Sequence, residues 1–265
     1  MLKFECRMSL HSISKLILKE DHKSSNQHDE GGEMRLGIMQ PYFLPYIGYF
    51  QLIAAVDKFV VYDNIKYTKK GWINRNRFLQ NGKDAMFSLS LKKDSDFLDV
   101  CERELATDFD RERLLNQLSG AYRRAPHFEQ TFSLIEQVVR YPESNLFLFL
   151  HNSIVQVCAH LDINTKIIVS SELVIDHHLL AQDKVLALCE ALDATAYVNA
   201  IGGVELYSNK TFQEKGIELQ FIQSKPFNYV QFDDVFVPWL SIIDVMMFNS
   251  LDVIRTCVKR NYELI

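Results

Sequence analysis

Residues 36–62 read Leu36-Gly-Ile-Met-Gln-Pro-Tyr-Phe-Leu-Pro-Tyr-Ile-Gly-Tyr49-Phe-Gln-Leu-Ile-Ala-Ala-Val-Asp-Lys-Phe-Val-Val-Tyr62. Leu36–Met39 is a short apolar run, the pattern of a buried strand. Gln40–Tyr49 is a turn rich in Pro and Gly, and Phe50–Val56 suits a helix. Phe59–Tyr62 is a second buried strand, ending at Asp63. A strand, turn, helix and strand within so short a span are the βαβ unit of a parallel sheet. The rest of the chain agrees. Asn81-Gly82 between apolar segments, within residues 77–93, predicts a hairpin. Apolar residues recur at helical spacing over residues 110–161, and Pro126 and Pro142 divide that portion into three helices. Ile167–Val169, Ala196–Val198 and Ile217–Ile222 predict three more strands, with helices near 179–192 and 204–215. A last helix is expected after Pro238, where Leu240, Ile243, Met247 and Leu251 recur, with Ser241 or Asp244 capping or bracing a neighbouring loop. The fold class is α/β, with a Rossmann-like parallel sheet and a helical insertion or subdomain.

Composition bounds the function. The 265 residues are 48% hydrophobic and 24% charged, which supports an ordinary core. The net charge of −5 argues against a globally basic nucleic-acid binder. Five scattered cysteines without a C-x-x-C predict neither a disulfide framework nor a structural metal, and point to a reducing cytoplasm. No apolar run approaches the roughly 18 residues of a membrane span, so membrane insertion is not expected. Residues 1–33 stand apart: Lys19–Glu33 is almost devoid of apolar side chains and reads as part of a flexible extension, with one short amphipathic helix ahead of it. Residues 34–265 form the expected α/β domain. A chain beginning at Met34 should therefore melt within about 2 °C of the full chain. A drop of more than about 5 °C would mean that the extension docks on the core.

Three constellations carry candidate chemistry. In open α/β sheets, ligands sit beyond the carboxyl ends of strands, where a helix amino terminus offers unpaired N–H groups to an anion. Gln40, Pro41, Tyr42, Tyr46, Gly48 and Tyr49 occupy such a turn. Asp63–Arg77 begins at the end of the second strand and gathers Lys66, Tyr67, Lys69, Lys70, Trp72, Asn74, Arg75, Asn76 and Arg77. Arginines among asparagines suit phosphate or carboxylate, and Trp72 or Tyr67 suits stacking on a sugar or base. Asn199, Gly202, Gly203 and Tyr207 follow another strand, where Gly-Gly before a helix can cradle an anion. Gly48, Arg75 and Arg77 are expected to share one anionic-ligand site. The histidines show no chelating spacing, and Cys158 and Cys189 read as inert core.

The turn Phe43-Leu-Pro-Tyr-Ile-Gly-Tyr49 is similar to the F-x-P-x-H-x-G-H turn of nucleotidylyltransferases, one residue shorter after the proline, with Tyr46 and Tyr49 where the H-x-G-H end of that motif has histidines. That likeness implies the nucleotidylyltransferase (HUP-type) fold. Met39–Ile53, Val56–Phe59, Gly71–Asn76, Tyr197–Gly203 with Glu205–Tyr207, and Val237–Asp244 together resemble the WbqC-like protein family. The resemblance runs from about Met34 to Ile265 and implies a place in bacterial O-antigen or other surface-polysaccharide synthesis. It implies a transferase, with glycyl or other aminoacyl transfer to an amino sugar as one proposal. Its substrates would be small molecules: a sugar nucleotide, and an amino acid or other carboxylate. ATP with Mg2+ is the implied cofactor if the carboxylate is first activated. The turn Gln40–Tyr49 would then hold the triphosphate and Gly202-Gly203 a second phosphate contact. Asp63, Tyr46 and Lys70 become the catalytic candidates, Asp63 as base for the attacking amine or as a magnesium ligand. The alternatives are a nucleotidylyl- or glycosyltransferase, or a sugar-nucleotide-binding or scaffolding protein without turnover. A homodimer is left open.

Overall fold

Strands form wherever short apolar, β-branched runs are flanked by turn residues, and the first of these is β1 (Arg35–Met39). In chain order follow α1 (Ile47–Ala54), β2 (Lys58–Val61), β3 (Arg75–Gln80) and β4 (Lys83–Ser88). Three helices come next: α2 (Arg111–Tyr122), α3 (Phe128–Val139) and α4 (Leu146–His160). Then β5 (Lys166–Val169), α5 (Ala181–Ala191), β6 (Ala196–Ala200), α6 (Asn209–Glu214) and β7 (Glu218–Ser224) complete the alternating part. Helices α7 (Ile242–Phe248) and α8 (Leu251–Arg260) lead to the short terminal strand β8 (Tyr262–Leu264). The computed structural model describes residues 32–232 and 235–265. Of the extension expected over residues 1–33, with its short amphipathic helix, residues 1–31 lie outside the described residues.

The main sheet has the order β5-β2-β1-β6-β7-β8, parallel except for β8. Leaving out the β3–β4 hairpin, that is the 3-2-1-4-5-6 order of a doubly wound sheet, whose switch point lies between β1 and β6. Both faces are covered. Phe59 and Val61 of β2 face one core with Leu52 and Ile53 of α1, while Val60 between them joins Leu36, Ile38, Val185 and Leu188 on the other face. At Gly37 an added Cβ would meet Phe59 at 3.1 Å and Val56 at 3.4 Å, so the glycine lets α1 lie close to the sheet. No helix among the described residues is long and apolar enough to cross a membrane.

Several elements differ from their sequence expectations, among them α1, which starts at Ile47 and not at Phe50. The hairpin is present, with Asn81 (φ 51°) and Gly82 (φ 72°) making its two-residue turn, but its first strand starts at Arg75. Arg75, Asn76 and Arg77 are therefore strand residues paired with Met86–Ser88, and not a loop at the end of β2. The helix expected after Pro238 starts at Ile242, because Ser241 is its N-cap and accepts from the Ile243 N–H at 3.2 Å. Leu240 lies before it, and the chain breaks again at Asn249-Ser250 before α8.

Candidate functional site

The turn leaving β1 is fixed from outside. The Phe43 N–H donates to the Ile73 carbonyl at 3.0 Å, and the Ile242 N–H to the Pro45 carbonyl at 2.8 Å. The Asn76 amide donates to the carbonyls of Phe43 and Leu44 at 3.2 and 3.0 Å, and the Ser241 hydroxyl to that of Leu44 at 2.6 Å. Leu44 itself is left-handed (φ 44°), a conformation that costs a non-glycine residue about 1–3 kcal/mol and survives only when its surroundings impose it. The turn thereby delivers the chain into α1, which begins at Ile47. Its N-cap Tyr46 gives no side-chain cap, so first-turn N–H groups remain for another acceptor.

Gly48 lies inside this first turn of helix. A Cβ there would stand 2.3 Å from Cε2 of Tyr46 and 2.6 Å from its hydroxyl oxygen. The expectation that Gly48 clears space for a ligand is thus corrected: it clears space for the Tyr46 ring. Gly48→Ala should lower stability by about 1–3 kcal/mol through overpacking. The same change in a Tyr46→Ala background should cost almost nothing, which a double-mutant cycle by denaturant unfolding would measure.

Beyond the carboxyl ends of β1 and β6, at the switch point, lies a cleft of about 700 Å3. Gln40, Tyr42, Tyr46 and Gly48 enter it from the β1 turn, and Asn199, Gly202, Gly203 and Tyr207 from β6 and the 3-10 turn Ile201–Leu206. Gly203 is also required locally, since a Cβ there would lie 2.4 Å from Nδ2 of Asn199. The end of β2 contributes Asn64 and Lys66, and beside them on the same wall lie Asp99, bridged to Lys66 through the backbone, His177 and Lys184.

The electrostatics favour an anion. Lys184 is 4% exposed, with its ammonium 4.9 Å from the centre of the Tyr62 ring and 3.4 Å from the Asn64 carbonyl oxygen. Burial lowers its pKa, while Asp99 and Asp63 act in the opposite direction. Asp99 is raised, first by burial and then by Glu102 beside it. His177 lies with Nδ1 2.8 Å from the Asn64 amide nitrogen and Nε2 3.0 Å from the Leu173 carbonyl oxygen. With the Ser170 hydroxyl donating to Oδ1 of Asn64, the amide nitrogen donates to Nδ1, and Nε2–H donates to Leu173. Helix α5 also opens onto the cleft without a side-chain cap, so two helix amino termini and two lysines face one carboxylate.

Not every expected residue reaches this cleft. Asp63 is 2% exposed, and its Oδ1 accepts from the Ser171 N–H at 2.9 Å and lies 3.0 Å from the Ser170 hydroxyl oxygen. It ties the end of β2 to the end of β5 and is not placed as a base. Tyr49 does line the floor of the cleft, but it is buried and donates its hydroxyl to the Gln40 carbonyl at 3.0 Å, bracing the turn beside buried Pro41. Burial raises the pKa of Tyr42 and Tyr46 and takes Tyr49 well above 10.0, so all three phenols stay protonated at neutral pH. Asn74 accepts from the Tyr67 hydroxyl and donates to the Leu89 carbonyl, both at 2.8 Å, and Tyr67 packs under the Arg103 guanidinium. Arg75 folds back to donate to the carbonyls of Gly71 and Lys70, while Lys70 itself is exposed and lines neither the cleft nor its neighbour. That neighbour is a second pocket of about 220 Å3, lined by Tyr42, Pro45, Tyr46, Trp72, Asn76, Arg77 and Trp239. Gly48 and Arg77 thus face adjoining spaces that share Tyr42 and Tyr46 as a wall, and Arg75 faces neither.

Sequence reasoning missed Lys184, His177, Asp99, Asn64 and Trp239. Lys184 alone carried a legible sign, since it falls on the same helical stripe as Ala181 and Leu188, where a lysine is out of place. Among the described residues, no group of three or more His, Cys, Asp and Glu is arranged to hold a metal ion. Cys158 and Cys189 are buried, and burial pushes both thiols up to about 12.

The model of the WbqC-like protein family matches residues 40–256. The chain is also 27% identical over 233 residues to "Uncharacterized protein Rv1507c" of Mycobacterium tuberculosis (strain ATCC 25618 / H37Rv), covering 84% of this chain and 98% of that protein. No solved structure matches it.

Proposed function

This chain belongs to the WbqC-like protein family, and from that premise we propose that it is a cytoplasmic transferase of bacterial surface-polysaccharide assembly. Its cleft holds a nucleotide, and the group transferred is an acyl or aminoacyl group passed to the amine of an amino sugar or sugar nucleotide. One observation carries the reading: two uncapped helix amino termini and Lys184 converge on a cleft at the switch point of a doubly wound sheet. The same strand order favours kinship with the nucleotidylyltransferase (HUP-type) fold.

The residues present fit ATP. The α1 amino terminus and Lys184 supply donors for phosphate oxygens, and Gly202 leaves open space beside the backbone, where an added Cβ would have no neighbour within 4 Å. ATP, when bound, supplies the driving force for activating the carboxylate. Asp99 takes the role expected of Asp63, since it is the carboxylate on the cleft wall. It would meet Mg2+ together with the phosphates, as one protein carboxylate commonly does. Lys184 and the helix termini would then balance negative charge as pyrophosphate departs. His177, held by Asn64 and Leu173, orients that wall. Mass spectrometry of amino-sugar nucleotides incubated with ATP and a panel of amino acids tests the reaction: an acylated sugar nucleotide, formed only with ATP, is the expected product.

A second reading is favoured by Tyr46 and Tyr49, which stand where the nucleotidylyltransferase turn has histidines and whose phenols remain protonated. In that reading the protein binds a sugar nucleotide without turnover. Saturable binding with no product in any combination would select it.

A further inference from the structure

We propose that the smaller pocket beside the cleft is a binding site for a single pyranose ring, separated from the nucleotide space by Tyr42 and Tyr46. It does not rest on the transfer reaction, since the pocket would hold a sugar ring with or without turnover. The sequence contains two tryptophans, and both line this one space. Neither is used in the core: Trp72 is 41% exposed and Trp239 is 62% exposed. Leaving large apolar rings in water is unfavourable, and two of them at one concave site signify an apolar partner surface.

The pocket is also held in shape. Trp239 is left-handed (φ 59°), a strained conformation for a bulky residue. Its carbonyl accepts from Nη2 of Arg77 at 3.0 Å, and the Ser241 N–H returns a hydrogen bond to the Arg77 carbonyl at 2.9 Å. The guanidinium of Arg77 lies 5.6 Å from the centre of the Trp72 ring, so one arginine touches the Trp72 indole and the Trp239 main chain, while the Trp239 ring packs edge-on against Tyr46. Its side chain is 30% exposed, with Nη1 3.5 Å from Asp84, so the outer edge of the guanidinium can meet an oxygen that enters the pocket. Asn76 offers nothing further, because its amide and carbonyl are spent on the turn and on the Arg77 N–H.

A pyranose matches these terms. Its C–H face is apolar enough to lie on an indole, and its rim of hydroxyl oxygens can accept from a guanidinium. The volume suits one ring, and a whole nucleotide belongs to the larger cleft. A sugar here and a phosphate at the α1 amino terminus would lie on opposite sides of the Tyr46 ring, which borders both spaces.

The two tryptophans make the test direct, because tryptophan emission and the two indole N–H resonances report on this pocket alone. The full chain would be titrated with methyl glucopyranoside, with the corresponding methyl 2-amino-2-deoxyglucopyranoside, and with adenosine. The pyranosides should shift both indole signals in a saturable way. Trp72→Ala and Trp239→Ala should each weaken that binding at least about tenfold while melting like the parent. Calorimetry with ATP reads the cleft separately, and its result should be unchanged in both variants. The proposal is overturned if no pyranoside shifts either indole, if adenosine does so and the pyranosides do not, or if both alanine variants bind the pyranosides as the parent does.

Discussion

Replacing Asp244 by alanine should destabilise the protein by about 3–5 kcal/mol, the cost of removing one partner from a buried charged network. Asp244 is fully buried at the start of α7. Its Oδ1 accepts from the Tyr122 hydroxyl at 2.9 Å, and its Oδ2 from the Tyr229 hydroxyl at 2.6 Å and the Gln231 amide at 2.7 Å. Tyr122 in turn accepts the Leu79 N–H at 2.8 Å, so the carboxylate joins the hairpin, helix α2 and the 225–241 loop. Alanine would strand the buried donors of Tyr122 and Gln231 and the half-buried hydroxyl of Tyr229, a buried donor costing about 1–3 kcal/mol when unsatisfied. For a domain of this size the melting temperature should fall by roughly 10 °C or more. Nucleotide affinity in the surviving folded fraction should not change, because Asp244 lines neither the cleft nor the smaller pocket.

The same carboxyl gives stability a pH dependence with a definite sign. Burial raises its pKa above 3.8, and hydrogen bonds from Tyr229, Gln231 and Tyr122 oppose that rise without cancelling it. The folded chain therefore holds this proton more tightly than the unfolded chain. Its contribution to stability is greatest below 3.8, declines as pH rises through the folded-state pKa, and is flat above it. Asp244→Asn should remove that decline from the acid limb of a stability–pH curve, leaving the slopes of the other carboxylates in place. It should also cost less than alanine, since the amide oxygen keeps one or two of the donors.

Lys184→Met should do the reverse. The side chain is buried at the cleft, where its ammonium makes a long contact, 3.4 Å, to the Asn64 carbonyl oxygen and lies 4.9 Å from the centre of the Tyr62 ring. Removing a desolvated ammonium leaves no strong ion pair broken, so stability should hold or rise. A charge-assisted bond to phosphate is worth about 1.5–3 kcal/mol, so nucleotide affinity should fall by roughly ten- to a hundred-fold. Differential scanning and isothermal calorimetry on one sample separate the two effects. Lost stability with unchanged affinity would make Lys184 a core residue and move the anion site elsewhere.

These contrasts show where the sequence was informative. The unit β1–turn–α1–β2 was legible because its strands are unbroken apolar runs and the turn between them is marked by Pro41, Pro45 and Gly48. The hairpin was legible through Asn81-Gly82, and the three central helices through Pro126 and Pro142. The start of α1 was read three residues late, because Gly48 resembles a turn glycine when its actual neighbour, the Tyr46 ring, is out of view. Arg75–Arg77 were read as a binding loop for a related reason. Their alternation is that of a strand, with Asn76 inward and the arginines outward, but three polar residues in a row hide it. Asp63 at a strand end looked poised for chemistry, yet the backbone N–H that claims it comes from Ser171, 108 residues away. Lys184 and Trp239 reach the site only through the crossover of the sheet and the 225–241 loop, and local spacing cannot report such long-range closure.

The central claim is that the cleft between β1 and β6 binds the phosphates of a nucleotide. Isothermal calorimetry of the full chain with ATP and with a sugar nucleotide, at low and high salt, tests it most directly. The expected result is saturable binding at one site, weakened by salt and weakened at least tenfold by Lys184→Met. Absence of heat and of any thermal stabilisation with every nucleotide, at concentrations well above cellular levels, would contradict it.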